Sequence, residues 1–153
     1  MKNLYIFELS DIFDHQVYLP YSSGVVWSHI KQDPFIKKNY LLKDWFFARD
    51  DAKNIINKIK DPDVLIFSCF MWNWNLNCEI SKEIKKKFPS CKIYFGGQHQ
   101  PLSDRSQGFF KQYPYIDVLI HHEGELTLEE ILLKPDNLKD IKGLTLNINN
   151  KEF

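Results

Sequence analysis

The chain has 153 residues, 44% of them hydrophobic and 15% aromatic, with twenty Lys and Arg against twenty Asp and Glu. That length suits one domain able to bury most of its unfolded surface and leaves no room for a second full domain. The charge balance offers no long-range field for nucleic acid or an anionic membrane, so Lys85-Lys86-Lys87 reads as a solvated helix end.

In chain order, residues 4–7 (Leu-Tyr-Ile-Phe) form an apolar run of the kind found in strands buried on both faces. A helix of irregular pattern follows around Val25, Val26 and Ile30, and residues 44–47 suit a weaker strand at a sheet edge. Ala52, Ile55, Ile56 and Ile59 recur at helical spacing behind Asp50, the expected N-cap. Residues 64–67 are a second buried strand, and Leu76, Ile80, Ile84 and Phe88 form one helical stripe that ends at Pro89. Residues 93–95 are a third strand, a short helix surrounds Phe109, Phe110 and Tyr113, and residues 118–120 are a fourth strand. Thr127 and Glu130 have the spacing of a capping box, opening a helix whose apolar face is Leu128, Ile131 and Leu132. Residues 142–148 alternate like a strand, Asn149-Asn150 is a turn signal, and Lys151-Glu152-Phe153 begins a returning strand.

Strands alternating with helices predict right-handed crossovers and an α/β fold built on a doubly wound, mostly parallel sheet of about five strands, with the start of a hairpin at the carboxyl end. The expected division is a domain over residues 1–140 and, over 141–153, an interrupted hairpin leading toward the remainder of a longer polypeptide. The amino terminus meets Glu8 too soon for a signal-peptide core and no apolar run approaches ~20 residues, so a cytoplasmic protein without membrane partners is expected. Cys69, Cys78 and Cys91 are an odd number at wide spacings, which argues against a disulfide framework or a paired-thiolate zinc site.

Three loops are expected to share one edge of that sheet: Ser68 to Asn75, Gly96-Gly97-Gln98-His99, and His121-His122-Glu123-Gly124-Glu125. Paired glycines let backbone N–H groups approach a ligand closely, while hydroxyl, amide and carboxylate groups orient it in a mostly apolar slot. A large, flat, amide-rich ligand would suit such a crevice. Trp72 and Trp74 flank Asn73, so both could face one way and stack on a planar ligand, or simply fill the core. A metal cluster of His99, His121, His122, Glu123 and Glu125 is disfavoured, because neighbours on an extended segment point to opposite faces.

The segments Leu19-Pro20-Tyr21-Ser22-Ser23-Gly24, Pro62 to Asn73, Phe95-Gly96-Gly97-Gln98-His99, residues 115–120, Glu123-Gly124-Glu125 and Ile141-Lys142-Gly143-Leu144 together, in order and spacing, resemble the amino-terminal cobalamin-binding domains of B12-dependent radical S-adenosylmethionine enzymes. The resemblance implies a Rossmann-like fold of flavodoxin type, with the nucleotide tail of cobalamin alongside the sheet and the corrin across the strand ends. It implies cofactor-binding roles for Pro20, Tyr21, Ser22 and Gly24 near the corrin, for Ser68, Cys69, Trp72 and Asn73, for Gly96, Gly97, Gln98 and His99 along the passage of the tail, and for Glu123, Gly124 and Glu125 on the far side. No catalytic residue and no protein ligand to a metal is implied. His122 stands where such domains often carry Gly, and Gln98 where they often carry Pro.

Cobalamin-dependent mutases carry Asp-x-His-x-x-Gly after the first strand, where the imidazole binds cobalt. Asp11-Ile12-Phe13-Asp14-His15-Gln16-Val17 lacks that spacing and the Gly, so base-off cobalamin without histidine ligation is expected. An iron–sulfur cluster that cleaves S-adenosylmethionine needs Cys-x-x-x-Cys-x-x-Cys, which the three cysteines do not supply. The expectation is therefore a cobalamin binder that generates no radical alone and works with a radical S-adenosylmethionine domain in cis or trans. The alternative is an interaction module that keeps the fold, has lost the cofactor, and uses its aromatic excess to dock a partner.

Overall fold

The structure is a computed structural model and describes residues 1–102 and 105–153. The chain begins with β1 (Lys2–Ser10), whose Leu4 to Leu9 are all buried, and continues through a small hairpin of β2 (Ile12–Phe13) and β3 (Gln16–Val17). Helix α1 (Tyr21–Ile30) and the short α2 (Pro34–Asn39) lead into β4 (Tyr40–Ala48). Then come α3 (Ala52–Lys58), β5 (Val64–Ser68), α4 (Trp74–Lys87), β6 (Lys92–Gly96), α5 (Phe109–Gln112), β7 (Val118–Ile120) and α6 (Glu125–Leu133). A 3₁₀ turn, Leu138–Asp140, precedes β8 (Leu144–Ile148) and β9 (Lys151–Glu152).

One seven-stranded sheet runs in the order β4-β1-β5-β6-β7-β8-β9, parallel from β4 through β7 and antiparallel thereafter. Counting the parallel strands by chain order gives 2-1-3-4-5, the flavodoxin-type doubly wound arrangement. Both faces are covered, which explains why the central strands read as unbroken apolar runs. Period-2 alternation sends Tyr5, Phe7, Leu65, Phe67, Ile93, Phe95 and Leu119 to one face, against Ile55, Leu76, Ile80, Ile84 and Phe110. Leu4, Ile6, Val64, Ile66, Tyr94, Val118 and Ile120 go to the other, against Ile30, Ile36, Leu128, Ile131 and Leu132 of α1, α2 and α6. Phe7, Phe67 and Phe95 form a continuous row, with adjacent ring centroids at 4.3 Å and 5.0 Å.

Several local expectations are corrected. The cap of α3 is Asp51, while Asp50 accepts from the Asp51 N–H and the Asn54 side chain, both at 2.8 Å, and so braces the turn from one residue further out. Helix α6 begins at Glu125 behind Gly124, which places Thr127 inside the first turn rather than at its cap; its hydroxyl reaches the Lys142 carbonyl at 3.4 Å. Helix α2 is too short to show a helical repeat but carries a full capping signature: Asp33 Oδ1 caps the N–H groups of Phe35 and Ile36, and Pro34 sits at the first helical position. The edge strand spans nine residues, far more than residues 44–47, because pairing with β1 supports its half-exposed pattern.

All three cysteines are buried. Burial pushes the Cys91 thiol from its ordinary 9.0 up to about 12 and that of Cys78 to about 11, and raises Cys69 as well. Values raised on folding mean that the associated stability is complete below about pH 9 and is lost as pH climbs through the folded values. The urea midpoint is therefore expected to hold steady between pH 7 and 8.5 and to fall progressively above about pH 9; a midpoint flat to pH 11 would show these thiols to be solvated.

No helix among the described residues is long and apolar enough to cross a membrane.

Candidate functional site

A cleft of about 340 Å³ opens at the carboxyl ends of the parallel strands, on the face that α1 and α6 cover. In doubly wound sheets this end, near the point where strand order reverses, is where ligands bind. Its floor follows from strand alternation: Ile66 and Ser68 on β5, Gly96 on β6 and Ile120 on β7 all face the same side. Between Ser68 and Ile120 Gly96 contributes no side chain, and a Cβ built there would meet nothing closer than 3.9 Å. The absence of that side chain leaves depth in the floor.

One wall is the first turn of α1, with Tyr21, Ser22, Ser23 and Val26, and the other is Glu123, Gly124 and Glu125 with Leu128 of α6. The N-cap of α1, Pro20, makes no side-chain capping bond. Glu8 at the end of β1 takes over: it is 7% exposed, and its two carboxylate oxygens accept from the Ser22 N–H at 3.3 Å and the Ser23 N–H at 2.6 Å. A carboxylate at a helix N-terminus satisfies orphan donors and complements the helix dipole. Ser23 in turn accepts from the Trp45 indole N–H at 3.1 Å, tying this turn to β4. Glu8→Ala is expected to cost about 1–2 kcal/mol in chemical denaturation, the usual worth of a lost cap with buried donors; a loss within a few tenths would show that the α1 turn holds itself.

The far wall bends sharply. His122 adopts φ 58, the left-handed region, which explains why glycine suits this position and why a β-carbon here carries strain. His121 is 3% exposed beneath it, with Nε2 at 2.8 Å from the Thr145 hydroxyl; desolvation, then the neighbouring His122, lowers its pKa.

Of the residues expected at the site, Tyr21, Ser22, Ser68, Gly96, Gly97, Gln98, Glu123, Gly124 and Glu125 line the cleft together. The other six do not. Pro20 ends the loop before α1, and Gly24 faces the Trp45 ring. Cys69 is fully buried, its N–H bonded to the Gly96 carbonyl at 2.8 Å and its carbonyl accepting from the His99 N–H at 3.1 Å. Asn73 is 1% exposed and knots the strand ends, donating to the carbonyls of Leu9 and Ser68 while its Oδ1 accepts from the Phe70 N–H at 2.8 Å. His99 lies edge-on to Trp74, with centroids 5.2 Å apart. Trp72 stacks flat on Phe70 at 4.7 Å outside the cleft, whereas Trp74 turns inward against Phe95, Phe109 and Tyr113. The two tryptophans diverge because the chain enters a turn and then α4 here, so strand alternation does not apply.

Gly97 lines the cleft and is also fixed by the backbone around it. Its φ is +97, and a Cβ would stand 2.6 Å from the Cys69 carbonyl oxygen and 2.7 Å from its nitrogen. The glycine is required by the close approach of two loops. Gln98 and His122 are both exposed and line the cleft, which keeps its volume beside them. His15 occupies the tip of the β2–β3 hairpin with φ 63 and is exposed. Glu8, which braces the α1 wall without lining the cleft, is concealed in the sequence, since it sits within an apolar strand and its partners lie 14 and 15 positions away.

Strand order and cleft together define a doubly wound α/β domain of flavodoxin type with a ligand-sized slot at its strand ends. No protein-family model matches the chain. Over 117 residues, 76% of its length, it is 34% identical to the 2-(S-pantetheinyl)-carbapenam-3-carboxylate methyltransferase of Streptantibioticus cattleyicolor. Over 115 residues, 75% of its length, it is 34% identical to the cobalamin-dependent radical SAM methyltransferase TokK of Streptomyces tokunonensis. The chain is thus homologous to part of these methyltransferases, and its match spans 17% of the length of each.

Proposed function

We propose that this chain is a cobalamin-binding domain, over residues 1–140, that serves a radical S-adenosylmethionine methyltransferase, with residues 141–153 leading toward the catalytic part. The observation that carries the reading is the gap at Gly96: a floor of Ile66, Ser68 and Ile120 left open at the strand tip, between two helices, suits a flat aromatic base inserted edge-first beside the sheet. The homology to a protein named as cobalamin-dependent supports it independently. A slot of about 340 Å³ lies within the ~300–1,000 Å³ typical of small-molecule sites, enough for the tail while the corrin rests outside.

In this reading Ser68 and the α1 turn hold the polar part of the tail, Ile66, Ile120 and Leu128 pack its base, and Glu123 with Gly124 closes the far side. Bound there, cobalamin would supply a cobalt centre competent for methyl transfer. The chain's own contribution is to bind the cofactor, orient it and keep water from its tail. The iron–sulfur cluster and S-adenosylmethionine belong to the catalytic part, because the cysteines here are singly buried and pushed toward the thiol form.

Hydroxocobalamin added to the chain is expected to change its visible spectrum on binding and to raise the thermal midpoint by roughly 5–10 °C at a hundredfold excess over Kd. The second reading, a cofactor-free docking module, has one observation in its favour: Tyr18, Leu19, Tyr21, Met71 and Trp72 are all at least half exposed around the same edge. No spectral change and no stabilisation would select it instead.

A further inference from the structure

A second cavity, of about 460 Å³, lies beside the cleft and shares with it Gly97, Gln98, His122 and Glu123. Gln100 and His121 line it from behind and are 8% and 3% exposed. The Gln100 side-chain N–H donates to the Ile120 carbonyl, and the His121 Nε2 pairs with the Thr145 hydroxyl. Among the described residues, however, Gln100 Oε1 and His121 Nδ1 have no hydrogen-bond partner although both are buried. Both residues line one cavity, and a buried polar atom without a partner is costly unless something meets it.

The chemistry of the pair narrows what that is. Gln100 Oε1 can only accept, so the occupant must present a donor there. The imidazole stays neutral in this buried setting, and its Nδ1 donates or accepts according to which way the Thr145 hydroxyl points. A carboxylate offers no donor and would meet a carbonyl oxygen and the neighbouring Glu123, with no Lys or Arg in the lining. A primary carboxamide presents a donor and an acceptor side by side, without charge, and so matches Gln100 Oε1 together with a protonated Nδ1. The cavity far exceeds the ~30 Å³ share of one water molecule.

We propose that this cavity is a carboxamide subsite, which takes one of the peripheral amide arms of the corrin whose tail occupies the neighbouring cleft. The amide N–H₂ donates to Gln100 Oε1, and its carbonyl oxygen accepts from His121 Nδ1–H, the tautomer in which Nε2 accepts from the Thr145 hydroxyl. This rests on the cobalamin reading and deepens it: the subsite fixes the rotation of the corrin about its tail, and Gln98 and His122 flank the arm as it enters.

The test compares, on the full chain, the affinity of cobalamin with that of derivatives in which one carboxamide at a time is hydrolysed to the carboxylate. The expected result is that one derivative binds at least about tenfold more weakly than the rest. Gln100→Met removes the acceptor at similar volume, and His121→Gln keeps a polar atom toward Thr145 while removing Nδ1. In both variants, with thermal unfolding showing the fold intact, cobalamin is expected to bind about tenfold more weakly and the selected derivative to lose its distinction. If all derivatives bind wild type alike, or if the penalty persists unchanged in both variants, the subsite is overturned and the cleft assignment stands. If intact cobalamin does not bind wild type, both fail together.

Discussion

Gly96→Val is expected to leave the protein folded and to weaken cobalamin binding by at least a hundredfold. Gly96 has an ordinary extended backbone at the end of β6, and a Cβ there would find its nearest neighbours, the Ile120 Cβ and the carbonyl oxygens of Ile120 and Phe67, no closer than 3.9 Å. β-Branched residues suit a strand end, so stability should change by less than about 1 kcal/mol. The added methyl groups stand in the floor of the cleft between Ser68 and Ile120, where they displace the base of the tail. A loss of 2.7 kcal/mol in binding corresponds to a hundredfold, and forcing added methyl groups against a packed ligand costs about 1–3 kcal/mol before any other contact is lost. Titration of the variant beside wild type, with circular dichroism to check folding, decides the matter. Unchanged affinity in a folded variant would place the tail elsewhere.

One residue further, Gly97→Ala should do the reverse and damage the fold itself. The position has φ +97, which an L side chain rarely adopts, and the new methyl would be pressed within 2.6 Å of the Cys69 backbone. Strain of about 1–3 kcal/mol from the dihedral adds to about 1–3 kcal/mol from the clash, together a large part of the ~5–15 kcal/mol that holds a domain folded. The thermal midpoint is expected to fall by roughly 10 °C. An unaltered midpoint would mean that the two loops separate freely, contrary to the bonds from Cys69 N–H to the Gly96 carbonyl and from His99 N–H to the Cys69 carbonyl. The paired glycines therefore divide their tasks: Gly96 leaves space in the cleft, while Gly97 allows the loop that frames it to close.

That division marks how far the sequence alone reaches. The sheet is legible because strands buried on both faces read as apolar runs, and the two Gly-bearing turns stand out because they interrupt such runs. Residues that lie in the turns themselves, Gly96 to Gln98 and Glu123 to Glu125, consequently do line the cleft. The stretch from Ser68 to Asn75 divides for a physical reason: Ser68 and Phe70 line the cleft, while Asn73 ties three elements together and Cys69 packs against the Gly97 backbone. Glu8 and Gln100 are invisible to any local pattern, since the partners of one lie in the first turn of α1 and that of the other on β7. The strained His122 shows the same limit from another side, because only the backbone dihedral discloses that a histidine is standing in a glycine's conformation.

The central claim is that the tail of cobalamin lies between α1 and α6 on the sheet. Amide hydrogen exchange, followed with and without saturating hydroxocobalamin, tests it most directly. The account predicts slowed exchange at residues 22–25, 96–98 and 122–125, with the amides of β8 and β9 unaffected. Protection that spares those three segments, or that is confined to the β2–β3 hairpin and the Met71-Trp72 turn, would contradict it.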